Sequence, residues 1–260
     1  YTGNGSVQNI SHSLGSVPGM IIVKNKTSAG NWIVYHKMVD FSYPQNYKLE
    51  LNEIQGRQTN SNTWNDTAPT STQFTVGTNL SANGDDYVAY IFADAADSGA
   101  QVFGDDGDEG IIYCGMFAGA GDVNLGWEPQ WIMVKPYDQS WNWEIYDNMR
   151  GVTTDAAGQA LKPNTTDAEA STSSITFTST GFTQSTFGGS YPCIYVAIRR
   201  PNKPPTAATE VFKPVVQTAQ GTVTAGFPID MAIFADNSST WGYNSTIQNR
   251  LNGGTQALVT

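Results

Sequence analysis

The sequence predicts an all-β protein made of tandem antiparallel β-sandwich repeats. Short runs of aromatic and β-branched residues recur along the 260 residues, and Gly, Pro, Asn and Ser separate them. A long stretch of the first half also occurs again in the second half. No long window places apolar residues at the spacing of an amphipathic helix, so we expect at most one short helix, within residues 156–161 or 245–251.

Four strands are predicted in each copy of the repeat. They cover residues 20–24, 32–36, 73–76 and 87–92 in the first copy, and residues 131–135, 143–146, 175–178 and 194–198 in the second. Residues 20–23, with the sequence MIIV, form a continuous apolar run, which is typical of a strand covered on both faces. Several short strands separated by turn residues favour β-sandwiches.

Residues 14–38 and 125–149 show the repetition most clearly. They are identical at ten of 25 positions without a gap, at an offset of 111 residues. With small gaps, the similarity extends upstream to Tyr1 and Tyr113 and downstream to Tyr87 and Tyr195. Packing and turn residues dominate the identities. The matched residues that we expect in the core are Trp32 and Trp143, Ile21 and Ile132, and Val23 and Val134.

The repetition divides the chain into three β units joined by two linkers. The predicted boundaries are residues 1–98 for the first sandwich repeat, 99–110 for an acidic Gly/Asp linker, 111–200 for the second sandwich repeat, 201–210 for a Pro-rich linker, and 211–260 for a partial or divergent third unit. The third unit has opening strands at residues 227–234 and 239–247 and no closing strands. Because Tyr1 is not a translation start, we expect a fragment or a processed product.

Charge and hydropathy exclude two classes of partner. Acidic residues outnumber basic ones 23 to 13, which gives a net charge of −10. Nucleic acids and anionic membrane surfaces attract basic surfaces, so this balance argues against both. The longest apolar runs are far shorter than the roughly 20 residues of a spanning helix, so no membrane insertion is expected.

Cysteine, histidine and metal chemistry are sparse. Cys114 and Cys193 are the only cysteines, and we expect free, reduced thiols rather than a disulfide. Neither His12 nor His36 lies in a cluster with metal-ligand spacing. No cofactor and no metal site are predicted. The acidic run DDGDE at residues 105–109 could hold calcium, but a solvated linker turn is the favoured interpretation.

The polar residues argue against catalysis, because no acid–base pair is repeated between the copies. The one charge kept among the ten identities, Lys24 and Lys135, is expected at a strand end, with its stem over the sheet and its ammonium in water. A glycosidase needs two carboxylates roughly 5 to 9.5 Å apart. No sequence pattern brings together the pairs that could be nominated, Glu50 with Glu53 and Glu128 with Glu144. We therefore expect a non-enzymatic protein.

Two tryptophans are candidates for binding a ligand or a partner. Trp127 and Trp141 lie in expected loops, where the first repeat has Ser16 and Gly30. An exposed tryptophan in a loop can stack on a sugar or on a partner side chain. The alternative is a packing contact between neighbouring repeats.

Both copies carry the motif LG-x-x-P-x-x-I-x-V-K followed by NW-x-x-Y. Further matched motifs lie at residues 1–5, 12–24, 31–37, 64–77 and 87–93 of the first copy and at residues 125–135, 142–150, 164–167 and 195–198 of the second. This pattern resembles an uncharacterised repeat domain of tail-fibre and other virion structural proteins from marine bacteriophages, including cyanophages. The resemblance implies a concanavalin-like or jelly-roll sandwich and a virion role, and it supplies no catalytic residues.

These observations predict a non-enzymatic structural protein on a virion surface, in a tail fibre, a spike or a capsid-surface fibre. Its expected partners are other virion proteins, copies of itself and a host surface glycan or receptor, with assembly in the bacterial cytoplasm and a trimer by analogy with fibres. A secreted carbohydrate-binding protein that acts through avidity is the first alternative. A polysaccharide depolymerase is the second.

Overall fold

The computed structural model describes residues 1–95, 110–153, 158–171, 174–185, 187, 189–199, 207–210, 212–218, 221–227, 229, 231–235, 246–249 and 258–259. The chain divides into a larger unit, Tyr1–Lys203, and a C-terminal unit, Pro204–Thr260. The acidic run at residues 105–109 and most of the two expected linkers lie outside the described residues.

Strands form nearly all of the regular structure in the larger unit. The first repeat contains β1 (Gln8–Ser11), β2 (Met20–Asn25), β3 (Ile33–His36), β4 (Tyr47–Glu50), β5 (Gln58–Thr59), β6 (Gln73–Val76) and β7 (Tyr87–Phe92). The second contains β8 (Ile112–Ala118), β9 (Gly121–Asn124), β10 (Pro129–Pro136), β11 (Glu144–Asp147), β12 (Gln159–Ala160), β13 (Ala170–Ser171), β14 (Ile175–Thr178), β15 (Gly181–Gln184) and β16 (Pro192–Arg199). The prediction of an all-β fold is confirmed.

Helical structure in the described part of the chain is limited to short 3-10 segments, at Pro44–Asn46, Thr78–Leu80, Asn148–Arg150 and Ala208–Glu210. Residues 159–160 and 246–249, where the sequence allowed a short helix, are strands instead. Cross-strand pairing explains the difference, since Ile247 lies opposite Ile233 in a sheet. None of the described helical segments has the length and hydropathy needed to cross a membrane.

Each repeat contains one main sheet. The strand order is β5-β4-β3-β2-β7 in the first repeat and β11-β10-β16-β8 in the second, with antiparallel pairing throughout. Cross-strand partners agree with the offset found in the sequence. Ile21 lies opposite Tyr35 in the first repeat, and Ile132 lies opposite Tyr146 in the second. The repeated sequence therefore forms the same hairpin twice.

A smaller sheet covers the outer face of each main sheet. β1 pairs with β6 in the first repeat, and β14, β15 and β9 form a three-stranded sheet in the second. Ile21 of β2 shares an apolar cluster with Phe74 of β6. Ile132 of β10 shares a separate cluster with Phe177 of β14. Each repeat thus has its own outer core.

The two main sheets pack against each other through their remaining faces. Met20 and Ile22 of β2 share a central apolar cluster with Met133 of β10 and with Trp143 and Ile194 of the second repeat. Side chains along β2 and β10 therefore alternate between the central cluster and the outer clusters, which explains the continuous apolar run MIIV. The boundary predicted at residues 99–110 consequently separates two sequence repeats, not two compact units.

The cross-strand register corrects the gapped part of the sequence alignment. Val23 lies opposite Ala89, and its counterpart Val134 lies opposite Tyr195. Ala89, not Tyr87, therefore occupies the place of Tyr195 in the main sheet. A two-residue shift of this kind keeps the same side chains on the same face, because strand side chains alternate with a period of two.

The expected core residues are buried with one exception. Trp32 is only half-buried, where its ring stacks against Tyr90 with 6.2 Å between ring centroids. Trp143 is buried because the first repeat covers it, and its Nε1–H donates to the carbonyl of Glu50 at 3.0 Å. The expectation of deep burial is thus wrong for Trp32. The remaining expected core residues are fully buried: Ile21, Ile132, Val23 and Val134.

The C-terminal unit contains a three-stranded antiparallel sheet. Its strands are β17 (Met231–Phe234), β18 (Thr246–Asn249) and β19 (Leu258–Val259), in that order. The sequence predicted opening strands at residues 227–234 and 239–247 without a closing strand. β19 corrects this expectation, because Leu258 pairs with Ile247 and extends the sheet beyond the opening hairpin.

We predict that Trp143→Ala lowers the free energy of unfolding by about 3–5 kcal/mol, the usual loss for a large-to-small change in a core. Trp32→Ala should cost clearly less, because the Trp32 ring is only half-buried. Urea denaturation of both variants measures the difference. Equal losses would contradict the assignment of Trp143 to a core that both repeats share.

Candidate functional site

Several buried polar groups of the larger unit lie along the contact between the two repeats. We call this contact the inter-repeat seam. Its polar members and backbone acceptors are His36, Glu50, Ile54, Arg57, Asp94, Lys135, Tyr137, Trp143 and Tyr195. The sequence alone does not bring these positions together, because they are far apart along the chain.

Lys135 lies completely buried in the seam. Its Nζ donates to the carbonyl of Ile54 in the first repeat, at 2.8 Å, and to the carbonyl of Trp141. Burial lowers the pKa of its ammonium to about 8, and the nearby Cys193 acts in the opposite direction. The expectation of an ammonium in water is wrong for Lys135, because the first-repeat loop that contains Ile54 covers it.

Lys24, the matched lysine of the first repeat, makes the same local bond in a more open place. Its Nζ donates to the carbonyl of Gly30 at 2.9 Å. Gly30 and Trp141 are matched at the same offset of 111 residues as the two lysines. Each kept lysine therefore fixes the loop that leads into the next strand of its repeat.

Asn52 holds the chain just before β3 in a second local arrangement, which we call the asparagine clasp. Its Oδ1 accepts the backbone N–H of Trp32 at 2.8 Å, and its Nδ2 donates to Oδ1 of Asn31 at 2.9 Å. One amide group can do both because it carries an acceptor oxygen and two donor hydrogens. The clasp fixes the point where the chain enters β3.

The second repeat contains the same clasp before β11. Oδ1 of Asn164 accepts the backbone N–H of Trp143 at 3.0 Å, and its Nδ2 donates to Oδ1 of Asn142 at 2.7 Å. Asn142 and Asn31 are among the identical positions of the repeat. A kept polar residue directly before a kept tryptophan was therefore a signal of this arrangement in the sequence.

His36 links the two repeats from within the central core. Its Nδ1 accepts the backbone N–H of Met38 at 3.2 Å, so the neutral ring carries its proton on Nε2. Nε2–H then donates to the carbonyl of Tyr195 in the second repeat at 3.1 Å. Burial lowers the pKa of His36 to about 4, although the bond to Tyr195 opposes this effect and Lys37 adds to it.

Asp94 joins the end of the first repeat to β8. Its Oδ1 accepts the backbone N–H of Cys114 at 2.9 Å, and its carboxylate forms an ion pair with Lys37. Gly19 lies beside this contact. A Cβ at Gly19 would lie 2.6 Å from Sγ of Cys114 and 2.8 Å from Cβ of Asp94, so only glycine fits here.

The two cysteines lie in buried places of the larger unit. Both Cys114 and Cys193 are free thiols. Burial raises the pKa of each thiol, to about 12 for Cys193. Neither group is therefore activated as a nucleophile.

Arg57 closes one end of the seam with its guanidinium. The group lies over the ring of Tyr47 in the first repeat at 4.8 Å and over the ring of Tyr137 in the second at 5.3 Å. Its nitrogen atoms form ion pairs with Asp40 at 3.3 Å and with Asp138 at 2.8 Å. Arginine suits this position because a planar cation can stack and form ion pairs at the same time.

A shallow open groove of about 580 Å³ lies beside the two clasps. Its lining combines residues of both repeats: Asn52, Pro163, Asn164, Thr165, Thr166 and Asp167. The lining residues include hydroxyl, amide and carboxylate groups. Such groups can bind a polar, uncharged ligand through hydrogen bonds.

The two loop tryptophans lie in different places. Trp127 is half-buried and packs against the outer core of the second repeat. Trp141 is 44 % exposed, and its backbone N–H donates to the carbonyl of Ile54 at 2.7 Å. Trp141 therefore lies at the seam, where its ring is accessible.

The first pair of carboxylates nominated for a glycosidase, Glu50 and Glu53, accepts hydrogen bonds from neighbouring side chains. Glu50 accepts hydrogen bonds from Lys48 and Gln58, whereas Glu53 accepts one from Asn52. Burial raises the pKa of the Glu50 carboxyl, but its hydrogen bonds outweigh burial and hold the pKa below the ordinary value.

The members of the second nominated pair, Glu128 and Glu144, lie in different environments. Burial raises the pKa of Glu144, although the Tyr146 hydroxyl donates to it, and Glu128 is exposed. The members of the first pair are joined only through the backbone, where the N–H of Glu53 donates to the carbonyl of Glu50 at 3.2 Å. Among the described residues, no group of three or more His, Cys, Asp or Glu side chains could hold a metal ion.

We predict that His36 makes the larger unit sensitive to acid. The folded pKa of about 4 lies below the ordinary value of 6.5, so the unfolded chain binds more protons between these values. Stability should therefore fall by about 3 kcal/mol from this residue as the pH decreases from 6.5 to 4. His36→Gln, which keeps a donor, should flatten this part of the curve of unfolding free energy against pH.

His12→Gln provides the matched control for the acid experiment. His12 is not buried, and the variant should keep the slope of the wild-type curve. A wild-type slope that survives in His36→Gln would contradict the role of His36.

Comparison with known proteins finds a family whose match covers the first repeat and most of the second. The model of DUF7483, described as a domain of unknown function, matches residues 1–191. No curated protein and no solved structure matches the chain. The continuous match agrees with the structure, in which the two repeats form one compact unit. Because this match covers well over half of the 260 residues, the chain belongs to the DUF7483 family.

Proposed function

We propose that the protein is a non-enzymatic structural component of a bacteriophage virion surface, in a tail fibre, a spike or a capsid-surface fibre. In this role its sheet surfaces contact the host cell or neighbouring virion proteins, including further copies of the chain. The particle assembles in the bacterial cytoplasm and then carries the protein on its outside.

One observation carries the non-enzymatic part of this proposal. The identical polar residues Lys and Asn make equivalent hydrogen bonds in the two repeats. Lys24 and Lys135 each fix a loop carbonyl, and Asn31 and Asn142 each take part in a clasp. A copied element that keeps its architecture while its other polar residues diverge is typical of a structural or binding module.

The virion part rests on the sequence resemblance to marine-phage repeat domains. The motif of that resemblance includes the clasp asparagine, the following tryptophan and the kept lysine of each repeat. These residues now have defined roles in fixing the fold. The resemblance therefore concerns the architecture of the module, which is the property that a virion component supplies.

We expect mass spectrometry of purified particles from the phage that encodes this chain to detect the chain in a fixed ratio to the other virion proteins. Immunogold labelling of intact particles should then place it on the outer surface. A chain that is present in the lysate but absent from washed particles would contradict the proposal.

The polar groove beside Trp141 favours carbohydrate binding as a second function. Trp141 is 44 % exposed and lies against Ile54, which is itself 46 % exposed and follows closely after the groove residue Asn52. An accessible indole ring can stack on a neutral sugar, and the amide and hydroxyl groups of the groove can supply hydrogen bonds to it.

We predict that the full chain binds neutral glycans on an array and that Trp141→Ala abolishes this binding. Phe41→Ala is the matched control, because Phe41 is an aromatic residue with 74 % exposure that lies between β3 and β4, outside the Trp141 loop and the groove. Binding that Phe41→Ala reduces as much as Trp141→Ala would place the ligand elsewhere. No binding by the wild-type chain would contradict this second function and leave the structural role intact.

A further inference from the structure

The two repeats contain equivalent turns. We call residues 50–54 the first turn and residues 162–166 the second turn. Each contains the asparagine of its clasp at its third position. Each is closed by a backbone hydrogen bond from its fourth residue to its first, at 3.2 Å in the first turn and 3.3 Å in the second. The two turns therefore occupy the same place in their repeats, at an offset of 112 residues.

The first turn binds the second repeat through two backbone carbonyls, those of its first and last residues. The carbonyl of Glu50 accepts Nε1–H of Trp143 at 3.0 Å. The carbonyl of Ile54 accepts a hydrogen bond from Nζ of Lys135 at 2.8 Å. Both donors are fully buried. A turn of this kind is thus a partner that fits the kept tryptophan and the kept lysine of a repeat.

The matched donors of the first repeat, Trp32 and Lys24, lie on the corresponding face of the first main sheet. Trp32 packs against the central cluster, and Lys24 shares its face of β2 with Ile22 of that cluster. Both residues are only half-buried. Among the described residues, no hydrogen bond joins either side chain to the second turn. β2 and β3 are interior strands, so this surface does not belong to a sheet edge.

Existing bonds leave both sides able to make the missing contact. Lys24 donates to the carbonyl of Gly30. Lys135 makes the equivalent bond to its own loop and binds the first turn as well, because an ammonium group carries three donor hydrogens. The carbonyl of Glu50 accepts both the N–H that closes its turn and the indole N–H, because a carbonyl oxygen has two lone pairs. The carbonyl that opens the second turn can do the same.

The groove beside the clasps brings a turn and a site for a turn to one surface. Its lining includes Asn52, which holds the backbone N–H of Trp32, and residues 163–167, which include most of the second turn. Thr166, the last residue of that turn, is exposed. A surface that carries both complementary parts is complementary to itself. Such a surface forms a closed pair with two-fold symmetry, in which each copy gives and receives the same contact.

We propose that the groove binds the groove of a second copy of the same chain, with the second turn of each copy on Trp32 and Lys24 of the other. The carbonyl of Lys162 then accepts the indole N–H of Trp32, and the carbonyl of Thr166 accepts a hydrogen bond from Lys24. These bonds copy those that the first turn makes inside the chain. A glycan in the groove would compete with the second copy for the same surface.

The first test is the mass of the full chain in solution at about 0.15 M salt, which screens the repulsion between two acidic chains. Light scattering should show a change from monomer to dimer as the protein concentration rises. Thr166→Trp should stay monomeric, because a large ring at this exposed position obstructs the groove. Thr180→Trp is the matched control. It places the same ring on an exposed turn between β14 and β15 and should form the dimer like the wild type.

Nuclear magnetic resonance of the indole N–H groups locates the contact in the wild-type chain, even if Thr166→Trp fails to fold. The indole proton of Trp32 should shift downfield and exchange more slowly with water as the dimer forms. That of Trp143 is bonded inside the chain and should not change, so it is the internal control. Trp32→Phe keeps a ring without the donor and should weaken dimerisation about five-fold, the effect of one neutral hydrogen bond.

Three outcomes would overturn the pairing. A wild-type chain that stays monomeric up to its solubility limit excludes it. A dimer that persists in a folded Thr166→Trp variant places the interface elsewhere. A Trp32 indole signal that is independent of concentration shows that no second copy reaches this donor. None of these outcomes depends on the virion role, and a chain that binds no glycan can still form the pair.

Discussion

Apolar packing between the two main sheets is the interaction on which the rest of the larger unit depends. It removes from water the second face of β2 and β10, including Met20, Ile22 and Met133. Each fully buried side chain of this size contributes about 1.5–3 kcal/mol. The central cluster therefore offsets part of the desolvation cost of the polar groups enclosed with it. Without it, neither Lys135 nor His36 would lie away from water.

The same packing gives equivalent positions different environments. Trp143 is covered by the other repeat and donates to Glu50, whereas Trp32 is half-buried beside Tyr90. Lys135 is enclosed and gains a second acceptor, while Lys24 has a single loop carbonyl. The two copies face each other across a shared core but do not bury equivalent residues. Each copy therefore needs different residues on its own side of the interface. This accounts for strong conservation of the hairpin between the copies together with free change at its polar positions.

Sequence patterns predict the all-β class and most strands of both hairpins, because β-branched runs and turn residues act locally. The run MIIV even indicates that β2 is covered on both faces. The sequence does not indicate that the second repeat covers this second face, because face-to-face packing of two repeats leaves no periodic signal. Bonds from His36, Lys135 and Trp143 to backbone carbonyls were equally hidden, because any residue supplies a carbonyl. Asn31 and Asn142, which are identical and directly precede matched tryptophans, are a sequence signal that could have indicated the two clasps.

The shared core also has a consequence for biosynthesis. A ribosome releases the first repeat before the second, and at that moment the face formed by Met20, Ile22, Val34 and Leu49 has no cover. A nascent chain with such a face can associate with another nascent chain on the same messenger before its own second half emerges. Exchange of second repeats between neighbouring chains would bury the same side chains with the same partners. The first repeat therefore waits for its cover for as long as synthesis of residues 112–199 takes.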